Sequence, residues 1–276
     1  MTGISIVSAR STERAASLPR RLRVPASLLY PLIGIAALLA IWWLGGAIIA
    51  ADPDTAAFGN FAPVPAIVAL VHLAVGGKIW PQALASLSRI GQGLAIATLI
   101  GVPVGIAIGR SRAFQQITHV PFQFLRMISP LAWMPIAVMA FATWDGAIIF
   151  LIAAATIWPV TFATANGLRK VHPNWHKVAR NLGASPLHML WRITLPAVAQ
   201  DILTGVRLAL GVAWIILVPA EFLGVTSGLG YAINDARDTL RYDNLGAIVL
   251  FIGLLGFAMD SCCVALIHRY AWHPEN

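Results

Sequence analysis

Residues Lys177–Pro196 read K-V-A-R-N-L-G-A-S-P-L-H-M-L-W-R-I-T-L-P, a basic, polar stretch between two long apolar runs, Gly146–Leu168 and Ala199–Phe222. Pro173 just ahead of it predicts a helix over Asn174–Leu182. Gly183 should break that helix, Ser185 should cap a second short one, and Pro196 should mark the run-in to the next apolar segment. The result would be a rigid projection carrying Lys177, Arg180 and Arg192, with Val178, Leu182, Leu187, Leu190 and Trp191 as apolar contacts. Composition alone leaves open a second reading, in which the charges of a membrane-surface loop only set orientation.

Outward from this loop, the chain of 276 residues is 58% hydrophobic and only 11% charged, with a mean hydropathy of +0.77. That composition excludes an ordinary soluble domain. Leu28–Ala50, Ile90–Gly109, Met127–Trp144 and Gly146–Leu168 contain no Asp, Glu, Lys or Arg, and each approaches or exceeds the ~20 residues a helix needs to cross a bilayer. Ala199–Phe222, with Asp201, Arg207 and Glu221, and Asn244–Ile267, with Asp260, complete six expected spans. The fold class is therefore an all-α integral membrane protein.

The N-terminal tail carries Arg10, Arg14, Arg20, Arg21 and Arg23 ahead of an apolar run too long for a signal-peptide core, which predicts a retained signal-anchor. Six alternating spans then put Arg110, Arg112, Arg126, Arg169, Lys170, Lys177, Arg180, Arg192 and Arg269 on the same side as that tail. Only Lys78, Arg89, Arg237 and Arg241 fall on the other. The asymmetry predicts N-in and C-in topology. It divides the chain into a basic cytoplasmic tail (1–27), a membrane domain (28–270) with a cytoplasmic loop at 169–196, and a short cytoplasmic tail (271–276). A nucleic-acid function would need the basic residues on one soluble face, and no soluble domain carries them. Cys262 and Cys263 are helix neighbours poorly placed to bridge, and are expected to be buried thiols.

Several features qualify the spans. Residues 52–82 form the longest segment expected outside and hold an apolar stripe, Ile67, Leu70, Val71 and Leu73 or Ala74, which predicts a short surface helix. Gly101, Gly105 and Gly109 recur every four residues, a spacing that lets helices approach closely. Pro121, Pro130 and Pro135 in the third span, Pro159 in the fourth and Pro219 in the fifth predict broken helices. In lipid their freed carbonyls must be satisfied by protein or a watered cavity. Spans three and four should meet in a tight hairpin at Asp145.

The loop resembles the signature of ABC importer permeases, E-A-A, three residues, G, nine residues, I-x-L-P: Ala179, Gly183, Ile193, Leu195 and Pro196 match in register, while Lys177 and Val178 stand where the pattern has Glu and Ala. The stretches S-P-L-A-W-M-P-I at Ser129–Ile136, T-G-V-R-L-A-L-G-V-A-W at Thr204–Trp214, and Ala220–Glu221 look like the nitrate, sulfonate, taurine and bicarbonate branch. The resemblance covers roughly residues 60 to 270. It implies a type I ABC importer membrane fold in a bacterial inner membrane, with two permease copies, two ATP-binding subunits and an extracytoplasmic substrate-binding protein. It also implies that Lys177, Val178, Ala179, Arg180, Gly183, Ile193, Leu195 and Pro196 form the loop that docks on the ATPase, and that the cargo is a small anion, with nitrate slightly ahead of sulfonate, taurine or bicarbonate. ATP and Mg would be bound by the partner, leaving this chain without cofactor or catalytic residue. In keeping with that, Lys78, Lys170 and Lys177 are its only lysines and none lies in a phosphate-binding G-x-x-x-x-G-K-[ST] context.

Neutral donors and aromatic walls suit a path that must release its cargo, which makes Ser129, Trp133, Thr156, Trp158, Thr161 and Trp214 the candidate pathway residues. Arg207 and Glu221, fourteen residues and about 21 Å apart along a helix, cannot pair with one another and are candidates for a gate or scaffold. His172 and His176 are spaced i, i+4, but Pro173 between them and the want of a third ligand argue against a metal site. The competing function is a stand-alone secondary transporter of small anions, a class that typically shows an internal repeat and ion-coupling carboxylates; no repeat is visible, and Asp260 and Glu221 are the only acids deep in spans.

Overall fold

The computed structural model describes residues 26–270. The basic tail from Arg10 to Arg23 and residues 271–276 lie outside the described residues. In chain order the helices are α1 (Ala26–Ala51), α2 (Pro63–Val75), α3 (Ile79–Arg110), α4 (Arg112–Met127), α5 (Met134–Ala140) and α6 (Trp144–Lys170). They continue as α7 (Pro173–Asn181), α8 (Pro186–Met189), α9 (Leu195–Gly224), α10 (Leu229–Asp238) and α11 (Tyr242–Tyr270). The chain divides into two units at Trp42. The first contributes the beginning of α1, which is apolar all round as a lipid-bathed span is; the packing described below lies within the second.

Among the described residues five helical segments are long and apolar enough to cross a membrane, and a broken pair, α4 and Pro130–Ala140, bent by 84°, makes a sixth when counted as one span. The expectation of a single third span over Met127–Trp144 is thereby corrected. Pro130 forces the residue before it out of the helical region. Ser129 accordingly leaves the helical region (φ −58°, ψ 127°), and Ile128 before it is extended (φ −72°, ψ 127°). One 3₁₀ turn, Pro130–Trp133, then leads into α5, whose first turn tolerates Pro135. Helix direction shows that this pair traverses the bundle. Gly101, Gly105 and Gly109 of α3 lie against Thr161, Thr164 and Leu168 of α6 in the same order, so α3 and α6 run parallel and the chain between them must return from one end to the other.

The same glycines explain the closeness of that packing. A Cβ at any of the three would lie within 3.1 Å of an atom of α6. The predicted small-residue face is real, and its partner is α6. Along the other side of α6, α9 runs antiparallel, with Gly205 against Pro159 and Ala163, and Gly167 against Val198 and Asp201. Held between two helices, α6 stays continuous through Pro159, and α9 stays continuous through Pro219. Of the three expected breaks only the one at Pro130 interrupts its helix.

One core is built from Ile90, Ile148, Leu151, Ile152, Leu210 and Leu217 of α3, α6 and α9. A second joins Ile79 and Ala83 to Leu229, Ala236 and Ile248. The predicted helix in residues 52–82 is α2. Its Leu70, Leu73 and Ala74 pack on this second core while Ile67 and Val71 stay exposed, so it rests on protein through a narrower face than the apolar stripe suggested. Cys262 is exposed and Cys263 half-buried, contrary to the expectation of buried thiols, because the outer face of α11 is covered by little else in the chain.

Candidate functional site

The loop of Lys177–Pro196 has a geometry fixed almost residue by residue by its sequence. Pro173 occupies the first turn of α7 behind His172, whose Nδ1 accepts a hydrogen bond from the Asn174 N–H at 3.3 Å. The helix ends at Gly183, which adopts φ +79°. There the Ala184 N–H donates to the Ala179 carbonyl and the Gly183 N–H to the Arg180 carbonyl, both at 3.0 Å. These are the paired bonds of a Schellman turn, which satisfy the last carbonyls of a helix and require a left-handed residue at this one position. Ser185 Oγ then accepts from the His188 N–H and opens α8.

From α8 the chain passes through one π-helical turn, Leu190–Thr194, directly into α9, so that Pro186–Gly224 forms one segment of 39 residues. The second helix of the loop is therefore not a separate piece, as the sequence suggested, but the first turn of a span. Ala179, Met189 and Thr194 are buried. Lys177, Val178, Arg180, Gly183, Arg192 and Pro196 are exposed, and Ile193 and Leu195 half-buried. The apolar side chains of Val178, Leu182, Leu187 and Trp191 stand uncovered, Leu182 at 82% exposure. At the base of the loop Lys170 Nζ meets Asp201 Oδ1 at 2.7 Å and ties the end of α6 to the start of α9.

At the opposite end of the bundle lies a buried polar cluster. Glu221 on α9 has no solvent exposure. Its oxygens accept from Ser86 Oγ (2.9 and 2.8 Å), from Arg89 Nη1 and from the Gly230 N–H (3.0 Å). Arg89 also reaches Asp145 at the start of α6 (2.7 Å), and both the carbonyl (2.9 Å) and the hydroxyl (2.7 Å) of Ser227. Gly228, at φ +110°, lies so close to the carboxylate that any side chain there would collide with it. Arg89, expected as a loop cation, is instead 4% exposed within α3. An arginine is stable in such a place because two carboxylates and Ser227 take up its donors. Sequence reading missed it by requiring a charge-free span, which started that span at Ile90; the Ser86/Arg89 spacing on one helix face was the available signal.

Arg207, about midway along α9, pairs with Asp260 of α11 through Nε and Nη2 at 2.6 and 2.7 Å. Both sequence candidates for a gate or scaffold are thus found in ion pairs between helices, with different partners at different depths.

Around the broken span, a cavity of about 730 Å³ is bounded by Pro130 and Trp133 of the broken segment, Trp158 and Phe162 of α6, and Leu208 and Val212 of α9. Trp133 and Trp158 are thereby brought together. Ser129 is exposed at the break itself. Thr156 and Thr161 lie elsewhere: both are buried, Thr161 against Gly101 of α3, and Thr156 Oγ1 donates to the Ile152 carbonyl of its own helix at 2.7 Å. Trp214 packs between the two cores, its Nε1 buried without an acceptor among the described residues. Among the described residues no cluster of His, Cys, Asp or Glu has the arrangement of a metal site.

Residues 101–270 match the family described as binding-protein-dependent transport system inner membrane component. The chain belongs to this family. Among its relatives, the permease is 35% identical to the bicarbonate transport system permease protein of Synechococcus elongatus, over 96% of this chain and 98% of that one. It is 33% identical to the taurine transport system permease protein of Escherichia coli, over 87% and 88%, and 30% identical to a nitrate import permease protein of Synechocystis, over 88% and 91%. The inward-facing MetNI methionine ABC transporter superposes with a TM-score of 0.58 at 13% identity, over 72% of this chain and 96% of that chain, a likeness of fold. The permease is a multi-pass inner-membrane protein with the type I ABC importer fold, in the branch that the sequence resemblance indicated.

Proposed function

We infer that this permease forms, with a second copy of itself, the translocation pathway for a small oxyanion, and that a separate ATPase drives it through the loop of α7 and α8. The observation that carries this reading is the loop: a Schellman-terminated helix with uncovered apolar side chains and three exposed cations, continuous through α8 with a membrane-crossing helix. Such a surface wants a protein partner. ATP and Mg would be held by that partner, and an extracytoplasmic binding protein would deliver the cargo. The named relatives carry bicarbonate, taurine and nitrate, whose common chemistry is a small oxyanion group; that is the substrate class proposed here. A self-contained carrier is disfavoured by family membership.

We propose the N-in and C-in orientation as well, and the distribution of exposed cations supports it. Removing Arg89 from the loop cations leaves Lys78, Arg237 and Arg241 at the cluster end, with Arg237 paired to Asp238 at 2.8 Å. The loop end carries the exposed Arg180, Arg192 and Lys177, and by the positive-inside rule this excess supports a cytoplasmic loop. The test is reconstitution with the co-purified ATPase and binding protein. ATP-dependent uptake of labelled nitrate, bicarbonate or taurine is expected. Uptake by this chain alone, driven by a proton or sodium gradient, would overturn the reading.

A further inference from the structure

Two adjoining cavities share three side chains. The cavity of about 730 Å³ at the break is lined at its edge by Arg126, Phe162 and Asn166, and the same three line a second cavity of about 280 Å³. The second extends towards the loop end of the bundle, past His119 and Gln123 of α4 to Arg169 at the end of α6. Among the described residues no carboxylate lines either cavity. Arg126 forms no ion pair among the described residues, unlike Arg89 and Arg207. Its guanidinium carbon lies 5.4 Å from the centre of the Phe162 ring. A cation seated on a ring face is held in place while its N–H groups, which radiate in the guanidinium plane, stay available.

We propose that Arg126 and Asn166 form an oxyanion-binding station within the permease, between the aromatic cavity walled by Trp133 and Trp158 and the arginine at the loop end. The proposal rests on the oxyanion reading above and assigns it a place. Guanidinium and carboxamide supply planar N–H donors to a planar or tetrahedral oxyanion, and Phe162 fixes the guanidinium without neutralising it. One guanidinium at the junction of the two cavities, with the second cavity leading on towards the loop end, binds an anion and lets it leave, where a closed cage of several would trap it. Arg169 is the next cation towards the cytoplasm. The absence of carboxylates along the route removes the group that would repel the cargo or occupy the arginine.

The test uses the complete transporter in proteoliposomes with loaded binding protein, following uptake of labelled nitrate, bicarbonate and taurine together with ATP hydrolysis. Arg126→Gln should lower uptake about tenfold, the scale of one lost charge-assisted hydrogen bond, while stimulated ATP hydrolysis is retained. Arg126→Lys, which keeps the charge but not the planar fork, should recover part of it. Asn166→Asp should be as damaging as Arg126→Gln through repulsion. Parent-like uptake by Arg126→Gln, or parallel loss of uptake and hydrolysis in all three variants, would overturn the station. A second readout does not depend on transport: nitrate quenches tryptophan emission on contact, and here the Trp133→Phe/Trp158→Phe variant should lose quenching that the parent shows. Equal quenching in the parent and in Arg126→Gln also overturns it. If the unmodified transporter moves none of the three anions yet nitrate still quenches through Arg126, the assigned cargo fails and the anion site stands.

Discussion

Glu221 is dry and bonded at both oxygens, and its partners come from α3, from the turn at Ser227–Gly230 and, through Arg89, from α6. A pair of this kind adds little net stability compared with an apolar core, but removing one member strands the other. Glu221→Ala should therefore lower the stability of the purified permease by about 3–5 kcal/mol, read as a fall in its thermal unfolding midpoint in detergent or nanodiscs. Arg89→Met combined with Glu221→Leu should be less damaging than the single Glu221→Ala change, since no buried charge is then stranded and Asp145, whose side chain is 60% exposed, is left to solvent. Losses that simply add would show that the cluster is not one unit. The side-chain exposure of Asp145, 60% against 5% for the side chain of Arg89, makes it the lesser partner. Asp145→Asn should cost well under half as much, about 1 kcal/mol or less.

At the scale of elements, what the sequence disclosed and what it concealed differ by physical cause. Charge-free runs such as Gly146–Leu168 were visible because the cost of lipid-exposed charge leaves few alternatives. The turn at Gly183 and the cap at Ser185 were visible because backbone conformation there is fixed by single residues. The glycine face at Gly101, Gly105 and Gly109 was visible as spacing, although its partner α6 was not, because spacing on one helix does not name a neighbour. Concealed were the burial of Arg89, which depends on Asp145 and Glu221 fifty-six and 132 residues away in sequence, and the cavity lining of Arg126 and Asn166, which depends on how α4 folds back at Pro130. Gly105→Leu should separate α3 from α6, at a cost of about 1–3 kcal/mol or more, and reduce the yield of folded permease; unchanged yield and melting would mean the helices part without penalty. In the loop, Lys177 makes the exposed face positive where the family pattern is acidic, so under the proposed docking the ATPase should present a carboxylate there. Lys177→Glu is expected to weaken co-purification of the ATPase, most clearly at low salt. Unchanged assembly and coupled hydrolysis would remove that argument.

For the molecule as a whole, the unbroken run from Pro186 to Gly224 has a mechanical meaning. At 1.5 Å per residue, the distance from Pro186 to Glu221 is about 52 Å, and a tilt of about 10° pivoting at the loop sweeps the far end through about 9 Å. Spin labels at Leu187 and Leu223 should keep a constant separation through the ATP cycle while the distance from Leu223 to α3 changes; a changing separation along α9 would mean that the π turn at Leu190–Thr194 flexes instead. The carboxylate at the tip of this lever is held by contacts no longer than 3.0 Å. If α9 swings in this way against α3, the bonds from Ser86 and Arg89 cannot stretch by several ångströms and would part together, so the far end would act as a catch, either engaged or released.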